Sequence, residues 1–414
     1  MSVLLKNIST LLTLQGAAAK GGRRIGEEDL SVHTNYSLLI EKDKIAWLGP
    51  AQKLPRELAK KKTLREFNMK GKTVLPGFVE SHTHLIFAGD RAAEFEMRNQ
   101  GVSYQEIAAR GGGILSTMRN TRQASVAQLA KSGQVRADDF VAQGVTTLEI
   151  KSGYGLSLKD EVKVLQAADK IVGPRTVKTF LGAHALPPEF KTYEEYLSFL
   201  TAEVLPVIKK KKLATRVDVF IEKGFFPPAE SEKYLRQAQA MGFDVLVHAD
   251  QLSLSGGSDV AVRIGALSGD HLLQVTDSEI QKLAKSETTC MLLPAADLYM
   301  KCKYPPARQM IDAGARVALA TDFNPGSSPT QDLSLVGLLA RLEMKMSLPE
   351  VIAAYTVGAA HALNLQSEIG SVQVGKSADL LCIESDWRTL FYNVGKSEKK
   401  TVFSRGRKIF DTLK

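Results

Sequence analysis

The chain opens on short apolar runs divided by polar turns. Val3-Leu4-Leu5, Leu11-Leu12-Thr13-Leu14, Ser37-Leu38-Leu39-Ile40 and Lys44-Ile45-Ala46-Trp47-Leu48 read as strands, with turns at Gly21-Gly22 and Asp43-Lys44. From Val74 the pattern changes. Eight apolar runs follow, at 74–84, 145–150, 177–182, 217–222, 245–248, 266–271, 290–293 and 317–321, separated by helix-length stretches such as 161–171 and 230–241. Runs alternating with helices predict parallel βα units, and eight of them predict an α/β fold, a closed (β/α)8 TIM-like barrel. Strands return after Leu365, in Ser377-Ala378-Asp379-Leu380-Leu381-Cys382-Ile383, Thr401-Val402-Phe403 and Arg407-Lys408-Ile409-Phe410. The expected division is a barrel over 74–365 and a small β-sandwich domain built from both termini, 1–73 and 366–414.

Composition leaves that picture intact. At 414 residues, 44% hydrophobic and 24% charged, the chain can bury a large core. No run is long and apolar enough to span a bilayer. The start, Met1-Ser2-Val3-Leu4-Leu5-Lys6, lacks the layout of a secretory signal. Cys290, Cys302 and Cys382 cannot all pair with one another, and their spacing makes no zinc knuckle; reduced thiols in a cytoplasmic protein are expected. The net charge of +9 brings in Lys209-Lys210-Lys211-Lys212, which reads as a solvated helix face. No aromatic interleaving accompanies it, so neither nucleic acid nor membrane is an expected partner. A small anionic substrate fits the charge without being required by it.

Seven histidines occur: His33, His82, His84, His184, His248, His271 and His361. His82-Thr83-His84 ends the first run of the barrel, and residues two apart on a strand share a face. His184 follows the third run, His248 closes the fifth, His271 closes the sixth, and Asp322 follows the eighth. In a parallel barrel these ends meet on one rim. Singly they are weaker: His184 reads equally as a hydrogen-bonded structural residue, His361 as structural on a helix over 349–363, and His33 as a surface residue. Taken together, neutral imidazoles and a carboxylate suit Zn²⁺ or Fe²⁺. Such an ion lowers a bound water's pKa from ~15.7 to about 7. An aspartate at the ion, Asp322, can take the water's proton, and His271 can polarise a substrate carbonyl. The connection from about Gly89 to Gln143 is long and holds Gly111-Gly112-Gly113; long loops on this rim tend to cover sites.

Pro76-Gly77-Phe78-Val79 leading into His82-Thr83-His84, and Gly375-Lys376-Ser377-Ala378-Asp379-Leu380, resemble the two ends of amidohydrolase-superfamily barrels. Further segments resemble the imidazolonepropionases within it: Phe87-Ala88-Gly89-Asp90-Arg91-Ala92-Ala93-Glu94-Phe95, Ser103-Tyr104-Gln105-Glu106-Ile107-Ala108, Gly111-Gly112-Gly113-Ile114 and Glu149-Ile150-Lys151-Ser152-Gly153-Tyr154-Gly155-Leu156. Phe180-Leu181-Gly182-Ala183-His184, His248-Ala249-Asp250-Gln251 and Asp322-Phe323-Asn324-Pro325-Gly326-Ser327 extend the likeness over nearly the whole chain. The resemblance implies hydrolysis of the cyclic amide of 4-imidazolone-5-propanoate to N-formimidoyl-L-glutamate, the third step of histidine degradation, by a homodimer. It implies one metal per chain, zinc or iron, on His82, His84, His248 and Asp322. It assigns Arg91 and Tyr154 to the propanoate, and His184, Gln251, Asn324, Gly326 and Ser327 to the ring and product.

A guanidinium fork is a natural partner for a carboxylate. Without the resemblance, Arg91 reads as a surface ion-pairing residue, Tyr154 as a packing tyrosine and Asn324–Ser327 as a plain turn. Two positions depart from the family. Gln251 stands where some relatives carry Glu and cannot take a proton, which leaves Asp322 as the base. Glu80 stands where Asp is common, on the strand face of His82. Binuclear relatives use a carboxylated lysine at the fourth strand's end; here that is Lys223, whose direction depends on register. The competing readings are another cyclic amide hydrolase or a nucleobase aminohydrolase, since one scaffold hosts many substrates, and a non-catalytic barrel. A nucleobase has no carboxylate for Arg91 and Tyr154 to hold, and a barrel that had lost its chemistry would be expected to have lost ligands.

Overall fold

A computed structural model describes residues 2–55, 64–102, 106–107, 111–395 and 398–413. Its strands form two sheets of eight. The first joins the chain ends. β1 (Ser2–Leu12), β2 (Val32–Glu41), β3 (Lys44–Pro50), β4 (Leu64–Asn68) and β5 (Thr73–Pro76) come from the amino-terminal side. The barrel strands are β6 (Phe78–Glu80), β7 (Val145–Lys151), β8 (Arg175–Ala183), β9 (Arg216–Ile221), β10 (Asp244–Ala249), β11 (Ser268–His271), β12 (Thr289–Leu292) and β13 (Val317–Leu319). β14 (Leu380–Ile383), β15 (Lys400–Ser404) and β16 (Arg407–Asp411) then return to the first sheet. Its order is β16-β15-β14-β5-β1-β2-β3, with β4 on β1. Val3, Leu5, Leu38, Val74, Leu380 and Phe403 share its apolar core.

All eight expected barrel runs supply a strand. Neighbours pair in parallel from β6 to β13. The seam between β6 and β13 closes just beyond the strand ends, where Thr83 bridges Phe323 and the His84 N–H donates to the Phe323 carbonyl at 2.9 Å. β7 and β9 are buried along their whole length, which is why parallel strands appear as unbroken runs rather than alternating ones.

The first run departs from expectation. Residues 74–84 are not one barrel strand: β5 pairs with β14 in the terminal sheet, and β6 pairs with β7 in the barrel. The change happens across one peptide. Gly77 N–H donates to the Asp379 carbonyl and Phe78 N–H to the Gly144 carbonyl, both at 3.0 Å. A Cβ on Gly77 would lie 2.2 Å from Thr146 Cγ2, so the crossing needs a residue without one. Apolar content runs straight through this point because both sheets bury it.

Elsewhere the peripheral expectations can be placed. Lys209 to Lys212 are exposed around the end of the helix Leu205–Lys210. His361 lies on the helix Ala359–Ala362, and His33 stacks on Tyr36 within β2. The three cysteines are free, with Cys290 and Cys382 buried. Among the described residues no helix is long and apolar enough to cross a membrane. Ser103, Tyr104, Gln105 and Ala108 lie outside the described residues.

Gly77→Ala should destabilise the protein by ~1–3 kcal/mol, the usual cost of overpacking. Adding Thr146→Ala should recover part of that loss in thermal unfolding. A Gly77→Ala protein that melts with the wild type would remove the proposed crowding.

Candidate metal centre

The carboxyl ends of the barrel strands aim five histidines into one space. Ring centroids lie 4.6 Å apart for His82 and His248, 5.5 Å for His82 and His84, 5.3 Å for His248 and His271, and 5.0 Å for His84 and His184. Asp322 Oδ1 is 3.4 Å from Nε2 of both His82 and His84. Two ligand triads overlap at His82, one with His84 and Asp322, the other with His248 and His271; the ligand atoms of each lie within 4.8 Å of one another. Asp322 (φ 52°) and His271 (φ 80°) both take left-handed backbone conformations, a local strain that clusters at functional sites.

The donor set fits a divalent cation. Buried ring nitrogens without a hydrogen-bond partner include His82 Nε2, His248 Nε2 and His271 Nδ1, and such orphans are rare unless something fills the space. Burial pushes His84 down to about 4 and His271 down to about 3, and holds His184 well below the usual range. These rings are therefore neutral at pH 7, the form that ligates. For His82, burial and the nearby Lys151 act downward, but Asp270 and Asp322 outweigh them and lift it to about 9. Burial opposes ionisation of Asp322, yet contact with His82 and His84 holds it well below the ordinary carboxylate range. The cluster is short of one positive charge, which a proton on His82 or a bound cation supplies.

Beneath the histidines lies a layer that sequence reading missed. Lys151 Nζ sits 2.8 Å from Asp218 and 3.0 Å from Glu149. His82 Nδ1 donates to Asp270 Oδ2 at 2.7 Å, and His248 Nδ1 lies 3.1 Å from Asp218 Oδ2. All six side chains, with Arg216, are buried. The signal was present at period two: Glu149 and Lys151 in β7, Arg216 and Asp218 in β9, Ser268 and Asp270 in β11. Burial acts to lower the Lys151 pKa, but Asp218, Glu149 and Asp270 more than reverse it and keep an ammonium. Lys223, the position of the carboxylated lysine in binuclear relatives, is exposed. Glu80 turns to the backbone instead, accepting from the N–H groups of Thr321 at 3.2 Å and His82 at 3.3 Å and so tying β6 to the seam.

Above the cluster a cavity opens. His84, Tyr154, His184, His248, Gln251 and His271 line it, together with Asp322, Asn324, Ser327 and Arg91. Arg91 is buried, not a surface residue, and its Nε and Nη1 have no hydrogen-bond partner; Glu94 is 3.9 Å away. Gly326 makes room for it, since a Cβ there would fall 1.5 Å from Arg91 Nη2. Asn324 shapes that turn: its Oδ1 accepts from the Gly326 and Ser327 N–H groups, both at 2.8 Å, and its Nδ2 donates to the Asp322 carbonyl. His184 Nδ1 donates to the Gly153 carbonyl at 3.0 Å, which fixes its tautomer.

Residues 73–409 match the pattern of the amidohydrolase family. A protein of Bdellovibrio bacteriovorus named imidazolonepropionase is 75% identical over 414 residues, covering all of this chain and 98% of its own. An imidazolonepropionase of Geobacillus kaustophilus is 41% identical over 403 residues, covering 96% of this chain and 95% of its own. The chain belongs to the imidazolonepropionases of the amidohydrolase family. The amidohydrolase barrel is also seen in an adenosine deaminase of Xanthomonas campestris with bound zinc, at a TM-score of 0.72 and 16% identity over 98% of this chain and 92% of that one. A triazine hydrolase variant gives 0.74 at 15% identity, over 99% and 95%. At such identities the likeness is one of fold.

Burial pushes Glu80 up to about 8, against the N–H groups of Thr321 and His82. A carboxyl with a raised folded-state pKa stabilises most below its unfolded pKa, and that contribution is lost as pH rises through the folded value. Metal-free wild type should therefore lose stability relative to Glu80→Gln between about pH 4.5 and 8. Parallel melting curves across that window would mean that Glu80 stays ionised.

Proposed function

We infer that this chain opens the cyclic amide of 4-imidazolone-5-propanoate with water to give N-formimidoyl-L-glutamate, a step of histidine degradation. The observation that carries this reading is Arg91, a buried guanidinium with free donors at the edge of a cavity floored by the histidine cluster. It asks for a substrate with a carboxylate on a short tail, and the imidazolonepropionase relatives name one. A neutral nucleobase would leave Arg91 Nε and Nη1 unpaired, with Glu94 at 3.9 Å as the nearby carboxylate.

His82, His84, His248 and Asp322 would hold one divalent ion, zinc or iron. An ammonium at Lys151 and an exposed Lys223 support one ion rather than two, since neither supplies a carboxylated lysine. When bound, the ion would act as a Lewis acid and make a water acidic near neutral pH. Arg91 and Tyr154 grip the propanoate. His184 and Gln251 orient the ring over the histidines. Asp322, held ionised, takes the proton of the attacking water. His271, held neutral, donates its ring N–H to the carbonyl oxygen as charge builds there. Asp322 then returns the proton to the leaving ring nitrogen, and the C–N bond breaks. Asn324, Gly326 and Ser327 receive the open-chain product. A second reading comes from the triad of His82, His248 and His271, in which His271 is a ligand instead. We place the protein in the cytoplasm, as three free thiols suit a reducing compartment. We propose a homodimer from the family resemblance, to be checked by sedimentation.

Adding the imidazolone to purified protein should bleach its ultraviolet absorbance; no decay would refute the assignment. Arg91→Ala and Gly326→Ala should each raise KM at least tenfold, with a smaller change in kcat. An unmoved KM would take Arg91 out of substrate binding. His271→Ala should lower kcat by about 10²–10³ while metal content stays at one ion per chain; loss of metal would make His271 a ligand.

A further inference from the structure

We propose that Lys151 is a positioning residue of the metal centre: its buried ammonium bridges Asp218 and Asp270, the carboxylates that aim His248 and His82. This rests on the metal-centre reading above and adds a residue to it.

Lys151 ends β7, two places from β9, which carries Asp218, and four from β11, which carries Asp270; β10 lies between the two aspartate strands. No ladder hydrogen bond therefore relates the two carboxylates. Yet Asp218, His248 and Asp270 bring ligand atoms within 4.8 Å of one another, close enough for two carboxylates to repel strongly in a dry interior. Lys151 Nζ lies 2.8 Å from Asp218 Oδ2 and 3.7 Å from Asp270 Oδ2. These are the same oxygens that face the histidines: Asp270 Oδ2 accepts from His82 Nδ1 at 2.7 Å, and Asp218 Oδ2 lies 3.1 Å from His248 Nδ1, a close electrostatic contact at a nitrogen that makes no hydrogen bond.

Asp270 has little else to hold it. Its Oδ1 is buried without a hydrogen-bond partner, so its direction depends on what Oδ2 touches. Arg216, the other buried cation of the layer, is 3.7 Å from Glu149 and donates to the Ala362 carbonyl. Among the described residues, Lys151 is the lysine or arginine that pairs with both aspartates. A carboxylate on Nδ1 fixes an imidazole's tautomer and rotation, so that Nε2 presents its lone pair to the ion. Lys151 reaches two such carboxylates from one atom and sets the angle between two ligands on different strands.

The test separates this role from plain charge balance. In Lys151→Met, the layer loses a cation. In Lys151→Met/Glu149→Gln, a cation and an anion go together, so the net charge returns to that of the wild type while the bridge stays broken. Zinc affinity of the metal-free proteins is measured by competition with a chromophoric chelator, beside thermal unfolding without metal. Both variants should bind zinc about 10–100-fold more weakly, the usual effect of losing an outer partner of a metal ligand. The double variant should melt closer to the wild type than the single one. Wild-type zinc affinity in the double variant would overturn the proposal, because charge alone would then explain Lys151. A wild-type chain that binds no zinc or iron would instead sink the metal-centre reading and be seen before any variant is made.

Discussion

The neutralisation of charge inside the barrel governs the rest of the site. Glu149, Asp218 and Asp270 are buried with Lys151 and Arg216, and a lone ion at that depth would cost several kcal/mol. Because they sit together, Asp218 and Asp270 are held below the ordinary carboxylate range by the cations and rings beside them, and face the histidine ring nitrogens. The imidazoles above then have their outer nitrogens free, in a space that demands a positive charge. The inner layer uses hydrogen bonds and ion pairs to make a rigid base; the outer layer leaves its bonding capacity open. At the rim, His82 Nε2, His248 Nε2, His271 Nδ1 and two nitrogens of Arg91 are left without hydrogen-bond partners.

This arrangement explains what could be read from the chain and what could not. His82, His84, His184, His248, His271 and Asp322 were legible because each stands at or just past the end of an apolar run, and a parallel barrel has only one rim for such ends. Local order sufficed. Lys151, Asp218 and Asp270 follow the same two-residue alternation, but their meaning lies in contacts between strands far apart in sequence. Inside a run they look like blemishes on a core strand. Arg91 was ambiguous for another reason: a charged residue in a connection is normally solvated, and only Gly326 folding against it makes it interior. The direction of Lys223 turned on register, which no apolar run specifies by itself.

In the function proposed above, substrate recognition and chemistry fall to different parts of the molecule. The strand ends provide the cluster, with Asp270 bonded to His82 and Asp218 beside His248. The connections provide Arg91, Tyr154, Gln251 and the turn at Asn324, the turn being held by its own local bonds. Asn324 spends its side chain on the turn's own N–H groups, so the plain-turn reading and the functional one coincide: the turn's geometry is what gives Arg91 its seat. The overall excess of positive charge plays no direct part in this, since Lys209 to Lys212 are exposed on an outer helix.

The hand-over at Gly77 also bears on the order in which the molecule can be assembled during synthesis. β5 enters the terminal sheet between β1 and β14, with Val74 opposite Leu11 on one side and Leu75 opposite Leu381 on the other, the second partner lying almost at the far end of the chain. Contacts between such distant segments are slow to form, and domains tend to fold as they emerge from the ribosome. Here the peptide that feeds His82 and His84 into the barrel can lean on β1 early, and gains β14 only when nearly the whole chain is made. The strand that leads into the metal-binding rim is thus fastened twice, to the first strand of the chain and to one of its last.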